Sequence, residues 1–146
     1  MQLAADAPSS RSPTWMRSWL IAAAVYNIVW GAAVIVAPAT TLRLLGVTPN
    51  STDVWPALWG CIGMMVAVYG VGYAIASRDP FSHWPIVLVG LLGKILGPIG
   101  FVIAASRGEL PWSMGWTLLS NDVVWWVPFG MMLWRVAKLH GASGRA

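Results

Sequence analysis

The chain has 146 residues, of which 58% are hydrophobic and only 10% charged, with a mean hydropathy of +0.67. Soluble domains carry about 25% charged and 45–50% apolar residues, so the composition excludes an ordinary soluble domain and predicts one membrane domain. The formal net charge of +4 does not imply a nucleic-acid partner. The basic residues flank apolar runs instead of forming a stripe, which is a topology signal and a means of contacting anionic lipid headgroups.

Residues 1–14 (MQLAADAPSSRSPT) are polar and rich in Pro and Ser, and read as a disordered tail rather than a secretory signal. The first predicted span, 15–37, stops at Pro38, which cannot continue the hydrogen-bond ladder. Residues 39–53 are too polar to cross a bilayer. Their TLRLLG stretch suits a short amphipathic turn on the membrane surface, and Pro49-Asn50 marks a loop. The second span, 54–76, tolerates Pro56 in its first turn, and Ser77-Arg78-Asp79-Pro80 makes a tight connection to the third, 84–106. The fourth, about 113–138, has two possible beginnings. Either a helix starts near Trp112, or Trp112–Leu119 is an interfacial piece and the span starts at Ser120. Residues 139–146 read as a flexible C-terminal tail.

Each run matches the ~20 residues needed to cross a 30 Å hydrocarbon core. The expected fold is therefore all-α, an integral membrane bundle of four transmembrane helices within 15–138. Arg11, Arg17, Arg78, Arg135, Lys138 and Arg145 would lie on one side, Arg43 and Arg107 on the other. That imbalance predicts both termini in the cytoplasm.

Most of the eleven tryptophans fall near span ends, where indoles settle at headgroup level. Trp30, Trp125 and Trp126 lie deeper, to pack between helices or to line a ligand cavity.

Lys94 is the most informative residue. It sits ten residues from one end of the third span and twelve from the other, roughly 15 Å from either interface at 1.5 Å per residue. A lysine at that depth costs about 2.5–3.5 kcal/mol on insertion scales and marks a functional or pairing position. Its expected partners are Asp122 and Asn27, the other strongly polar side chains that fall within apolar runs. If the fourth helix starts early, Asp122 lies deep enough to meet Lys94. If it starts late, Ser120-Asn121-Asp122 forms an N-terminal cap, where a carboxylate favours the helix dipole. Asn27 reads as an interhelical hydrogen-bonder.

Gly90, Gly93, Gly97, Gly100 and Ala104 fall within an arc of about 80° on the same helix, with Lys94 about 40° beyond Gly90. Such a stripe predicts close helix packing in the small-xxx-small mode. The expected partners are the second span, through Gly63-xxx-Ala67 and Gly70-xxx-Ala74, or a helix of another subunit. Pro98 should kink the helix and free a carbonyl near Lys94.

Catalytic, metal and cofactor signatures are absent from the sequence. Cys61 is single and lies in an apolar run, so neither a disulfide nor a Cys/His metal set is expected. His83 and His140 are peripheral, and no HExxH, P-loop or paired-carboxylate site is present.

The stretches Tyr26–Gly31 (YNIVWG), Val68–Tyr73 (VYGVGY), Arg78-Asp79-Pro80, Gly90–Pro98 (GLLGKILGP) and Asn121–Phe129 (NDVVWWVPF) together resemble small bacterial four-helix membrane proteins of a DoxX-like kind. The resemblance implies a multi-pass fold in a bacterial inner membrane and assigns no residue roles. Some similar sequences carry an alkyl hydroperoxide reductase label, but this chain lacks the paired cysteines which that activity requires.

Two functions are compatible with these readings. One is a non-catalytic accessory or structural subunit of a membrane assembly, partnered by another membrane protein or by copies of itself. The other is binding or transport of a lipid, quinone or anion within the bundle. In that reading Lys94 contacts the ligand, Asp122, Asn27 and Asn121 belong to the polar network, and Trp125 and Trp126 serve as walls.

Overall fold

The computed structural model describes residues 12–50 and 52–143. Among them the chain is helical throughout: α1 (Thr14–Val36), α2 (Pro38–Leu44), α3 (Trp55–Ala76) and α4 (Trp84–Ser106) come first. A 3₁₀ turn at Trp112–Gly115 then leads through α5 (Trp116–Leu118) and a π-helical turn at Leu119–Val123 into α6 (Val124–Ser143). Three helices, α1, α3 and α4, are long and apolar enough to cross a membrane.

The helix ends follow from local chemistry. Proline sits in the first turn of α2, α3 and α4, where its missing N–H is no loss. Both α2 and α4 end in a glycine with positive φ, Gly46 at 84° and Gly108 at 73°. In each case the following amide reaches back five residues, Val47 to Leu42 and Glu109 to Ala104. The glycine amide itself reaches back three, to Arg43 and to Ala105. This is the Schellman arrangement, which satisfies carbonyls that a helix end leaves open.

The observed helices keep the expected bounds of the first three spans to within a residue. The C-terminal region differs. The helix continues to Ser143, so residues 139–143 are not a tail. The expected disordered tail at 1–14 lies mostly outside the described residues, as do 144–146, and its last residue, Thr14, already belongs to α1.

Packing divides the helices into two pairs, α1 with α3 and α4 with the α5–α6 segment. In the first pair the backbones almost touch. A Cβ added to Gly31 would lie 2.5 Å from the Gly63 carbonyl oxygen, and one on Gly70 would lie 3.0 Å from the Ala24 oxygen. The small residues of α3 therefore serve its crossing with α1. They do not receive the glycine stripe of α4, as the sequence spacing had suggested. Small residues at the crossing let the backbones approach this closely, and the dispersion contact that follows holds the pair.

Two apolar clusters flank the middle of the bundle. One joins Met16, Leu20, Ala23, Ala24, Tyr73, Ala76, Val87, Trp125, Phe129 and Met132. The other joins Val34, Leu42, Trp59 and Met114. The Arg17 guanidinium donates to the Ser77 carbonyl at 3.2 Å, tying the start of α1 to the end of α3. At the opposite end the Ser113 hydroxyl donates to the Leu45 carbonyl at 2.6 Å, fixing the 3₁₀ turn against α2.

Candidate functional site

Lys94 is buried, and its environment is built by two breaks in regular helix. Pro98 has no amide hydrogen for the carbonyl four residues earlier, which is that of Lys94 itself. The Trp126 indole nitrogen donates to that carbonyl at 2.9 Å. The π-turn at Leu119–Val123 lies opposite, and the Lys94 ammonium donates to the Asn121 carbonyl within it. The Asp122 carboxylate completes the contact, with Oδ1 3.9 Å from Nζ. π-Turns are rare and occur frequently at functional sites.

The C-terminal segment is helical from Trp112 onward, through its 3₁₀ and π turns. Asp122 is 7% exposed and makes no side-chain cap; it is an interior residue facing Lys94. The Asn121 amide donates to Asp122 Oδ1 at 3.1 Å, which holds the carboxylate in place. Behind the pair, the Trp125 ring centroid is 5.9 Å from Lys94 Nζ, within cation–π range. The Trp125 indole donates to the Ser120 carbonyl at 3.0 Å, and its ring packs on Trp19, Tyr26 and Phe129.

A cavity of about 640 Å³ opens beside this cluster. Its lining includes Asn27 and Trp30 of α1, Trp59, Tyr69 and Tyr73 of α3, and Lys94, Asn121 and Asp122. The glycines of α4 form much of one wall, and they record how α3 and α4 diverge. Tyr73 lies directly over Gly90, and the Tyr69 hydroxyl is 3.8 Å from a Cβ placed on Gly93. Around Gly97 and Gly100 nothing lies within 4 Å. The two helices meet at the Tyr73–Gly90 contact and splay apart toward the end of α4.

The stripe predicted to pack against a helix thus faces a cavity along Gly97 and Gly100, while Gly90 and Gly93 face tyrosines. Ala104 is half-buried and is not part of the lining. Across from the glycines, Leu58, Ile62 and Met65 line the cavity and are also exposed. The opening therefore lies between α3 and α4, on the outer surface of the bundle. The far end is floored by the turn after α4 and the 3₁₀ segment, through Leu110, Pro111 and Met114.

Comparisons with protein-family models, curated proteins and solved structures give no match, and nothing in them links the chain to DoxX-like proteins.

Of the residues singled out in sequence, Lys94, Asn27, Asn121 and Asp122 come together on the cavity. Trp125 and Trp126 do not line it, so neither is a wall; both stand behind the pair and hold it. Asn27 also departs from expectation. It is 1% exposed and forms no interhelical hydrogen bond, and its Oδ1 is a buried acceptor without a partner among the described residues. Trp30, placed at depth by the sequence, does line the cavity, together with Trp59, Tyr69, Tyr73 and Phe101, which no sequence signal marks as inward-facing. Trp30 packs edge-on against Trp59 at 5.6 Å, and the Trp59 indole donates to the Thr41 hydroxyl at 3.0 Å. That bond anchors the aromatic wall to α2. A tryptophan near a span end reads as an interfacial anchor, and only tertiary contact reveals which one faces inward.

Proposed function

We propose that the protein is a four-span membrane protein whose helix bundle binds a small, lipid-soluble molecule in the chamber beside Lys94. Three spans rest on the length and apolarity of α1, α3 and α4. The fourth is the 112–143 segment, which carries Asp122 to the depth of Lys94. Arg17, Arg78, Arg135 and Lys138 lie at one end of this arrangement, against Arg43 and Arg107 at the other. With that asymmetry both termini are cytoplasmic, and a bacterial inner membrane is the location that the sequence resemblance implies.

The observation that carries the reading is the chamber itself. Its volume falls within the roughly 300–1,000 Å³ of small-molecule sites, and it combines apolar and aromatic walls with a few convergent polar groups. The alternative role of accessory subunit drew on the glycine stripe as a docking seam. Much of that stripe faces the chamber, which favours binding within the bundle.

Native mass spectrometry after mild extraction tests the proposal. A bound small molecule should accompany the protein and disappear in Gly97→Phe, whose ring projects into the open space. A protein that carries no small molecule under any gentle extraction would overturn the reading.

A further inference from the structure

The lining narrows the ligand class, and this inference rests on the binding role proposed above. We infer that the chamber takes an uncharged, single-chain membrane amphiphile whose head is a hydrogen-bond acceptor of the ketone or ester carbonyl kind, entering sideways from the bilayer between α3 and α4.

The access route comes from the walls. Leu58, Ile62 and Met65 on one side and Gly93, Gly97 and Gly100 on the other are both lining and exposed. With α3 and α4 both read as spans, that opening faces acyl chains and not water. A solute arriving there is already dissolved in lipid. A volume of about 640 Å³ suits one slender chain along the glycines rather than a two-chain phospholipid.

The head chemistry comes from what the inner end offers. Lys94 has three N–H groups; one is spent on the Asn121 carbonyl and Asp122 stands 3.9 Å away. The Tyr73 hydroxyl lies over Gly90 and makes no hydrogen bond to the described residues. The Asn27 and Asn121 side-chain oxygens are acceptors without partners among the described residues, but both are sealed from the lumen. The groups left to meet a ligand head are the Lys94 ammonium and the Tyr73 hydroxyl, which offer donors and so call for an acceptor. Charge is excluded by the pair itself. An anionic head at Nζ meets the Asp122 carboxylate, and a cationic head meets Lys94, both in a medium of low dielectric where like charges repel strongly.

The test uses three probes that share one chain and differ in the head: methyl oleate, oleate and oleylamine. Delipidated protein in mild detergent is titrated with each, and occupancy is read by native mass spectrometry. Methyl oleate should bind at least about tenfold more tightly than the other two. Its binding should be lost in Gly97→Phe and weakened in Tyr73→Phe. Val29→Phe, on the exposed outer face of α1, should bind it normally. Preference for oleate or oleylamine, with loss in Gly97→Phe, would overturn the head class while leaving the chamber as the binding site. Failure of all three probes, with an endogenous molecule still co-purifying, would overturn the ligand class alone. Failure of the probes with nothing co-purifying would remove the binding role as well.

Discussion

The indole of Trp126 donates to the carbonyl of Lys94, the one carbonyl in α4 that Pro98 leaves without an amide partner. A polar group left open in hydrocarbon is expensive, and neighbouring helices commonly re-satisfy backbone freed by proline. The contact therefore couples two sequence features that lie far apart, and it fixes the depth at which α6 meets α4. Trp126→Phe should lower stability by about 1–3 kcal/mol, the cost of a buried acceptor without its donor. Pro98→Ala restores the missing N–H, so in that background Trp126→Phe should cost distinctly less. Thermal unfolding in detergent of the two single variants and the double variant measures this coupling. Equal costs in both backgrounds would mean that the indole acts by packing alone.

Lys94 and Asp122 form a second coupling between the same elements. Removing one partner strands a buried charge, so Lys94→Met and Asp122→Asn should each cost about 3–5 kcal/mol. The double variant should be less destabilised than the sum of the two, because no uncompensated charge remains. Folded yield and thermal stability of the four proteins decide it. If all three variants match the parent, the pair is dispensable for folding.

In the loop between α3 and α4, Asp79 organises the connection. The Ser82 hydroxyl donates to its Oδ2 at 2.5 Å, and the Phe81 and Ser82 amides donate to Oδ1 at 3.2 and 3.3 Å. The Ser82 hydrogen bond is the main reason that the carboxyl is held below its ordinary value; burial opposes it, and the two amides and His83 act in the lowering direction. A depressed folded pKa contributes stability above the unfolded value, near 3.9, and that stability is lost as pH falls through the folded pKa. Neutral conditions should leave the loop intact, with the change confined to acid below about pH 4. Ser82→Ala should move the Asp79 midpoint upward in a carbon-13 carboxyl titration. An unmoved midpoint would show that the hydroxyl has no part in it.

The helices were legible in the sequence because apolar runs, prolines and flanking arginines each report a local constraint. Lys94 and Asp122 were legible for an energetic reason: a charge at that depth demands a partner, and few residues qualify. The pairing of faces was not legible. Gly63-xxx-Ala67 has the same spacing whether it meets α1 or α4, and Gly93–Gly97 has the same spacing whether it borders a helix or a void. The π-turn at Leu119–Val123 also escaped, since the extra residue leaves no mark in composition and only its effect, turning Asp122 toward Lys94, is distinctive. The missed end of α6 has a simpler cause, because small residues such as Gly141 and Ala142 read as tail once the apolar pattern stops.

The two kinds of glycine environment give the last prediction. A Cβ at Gly31 would meet the Gly63 carbonyl at 2.5 Å and Ala67 Cβ at 2.9 Å, so Gly31→Ala must push α1 and α3 apart. Backbone cannot swing aside as a side chain does, and overpacking of this sort costs about 1–3 kcal/mol. At Gly100 the added methyl meets nothing within 4 Å. Gly100→Ala therefore keeps the fold and gains helix propensity, about 0.5–1 kcal/mol in water-exposed helices. Thermal unfolding of the two variants should move in opposite directions. The same substitution in the same kind of helix then separates a glycine kept for contact from one kept for space. If Gly100→Ala were as damaging as Gly31→Ala, the α4 stripe would be a packing seam after all, and the chamber would have to be narrower than its walls indicate.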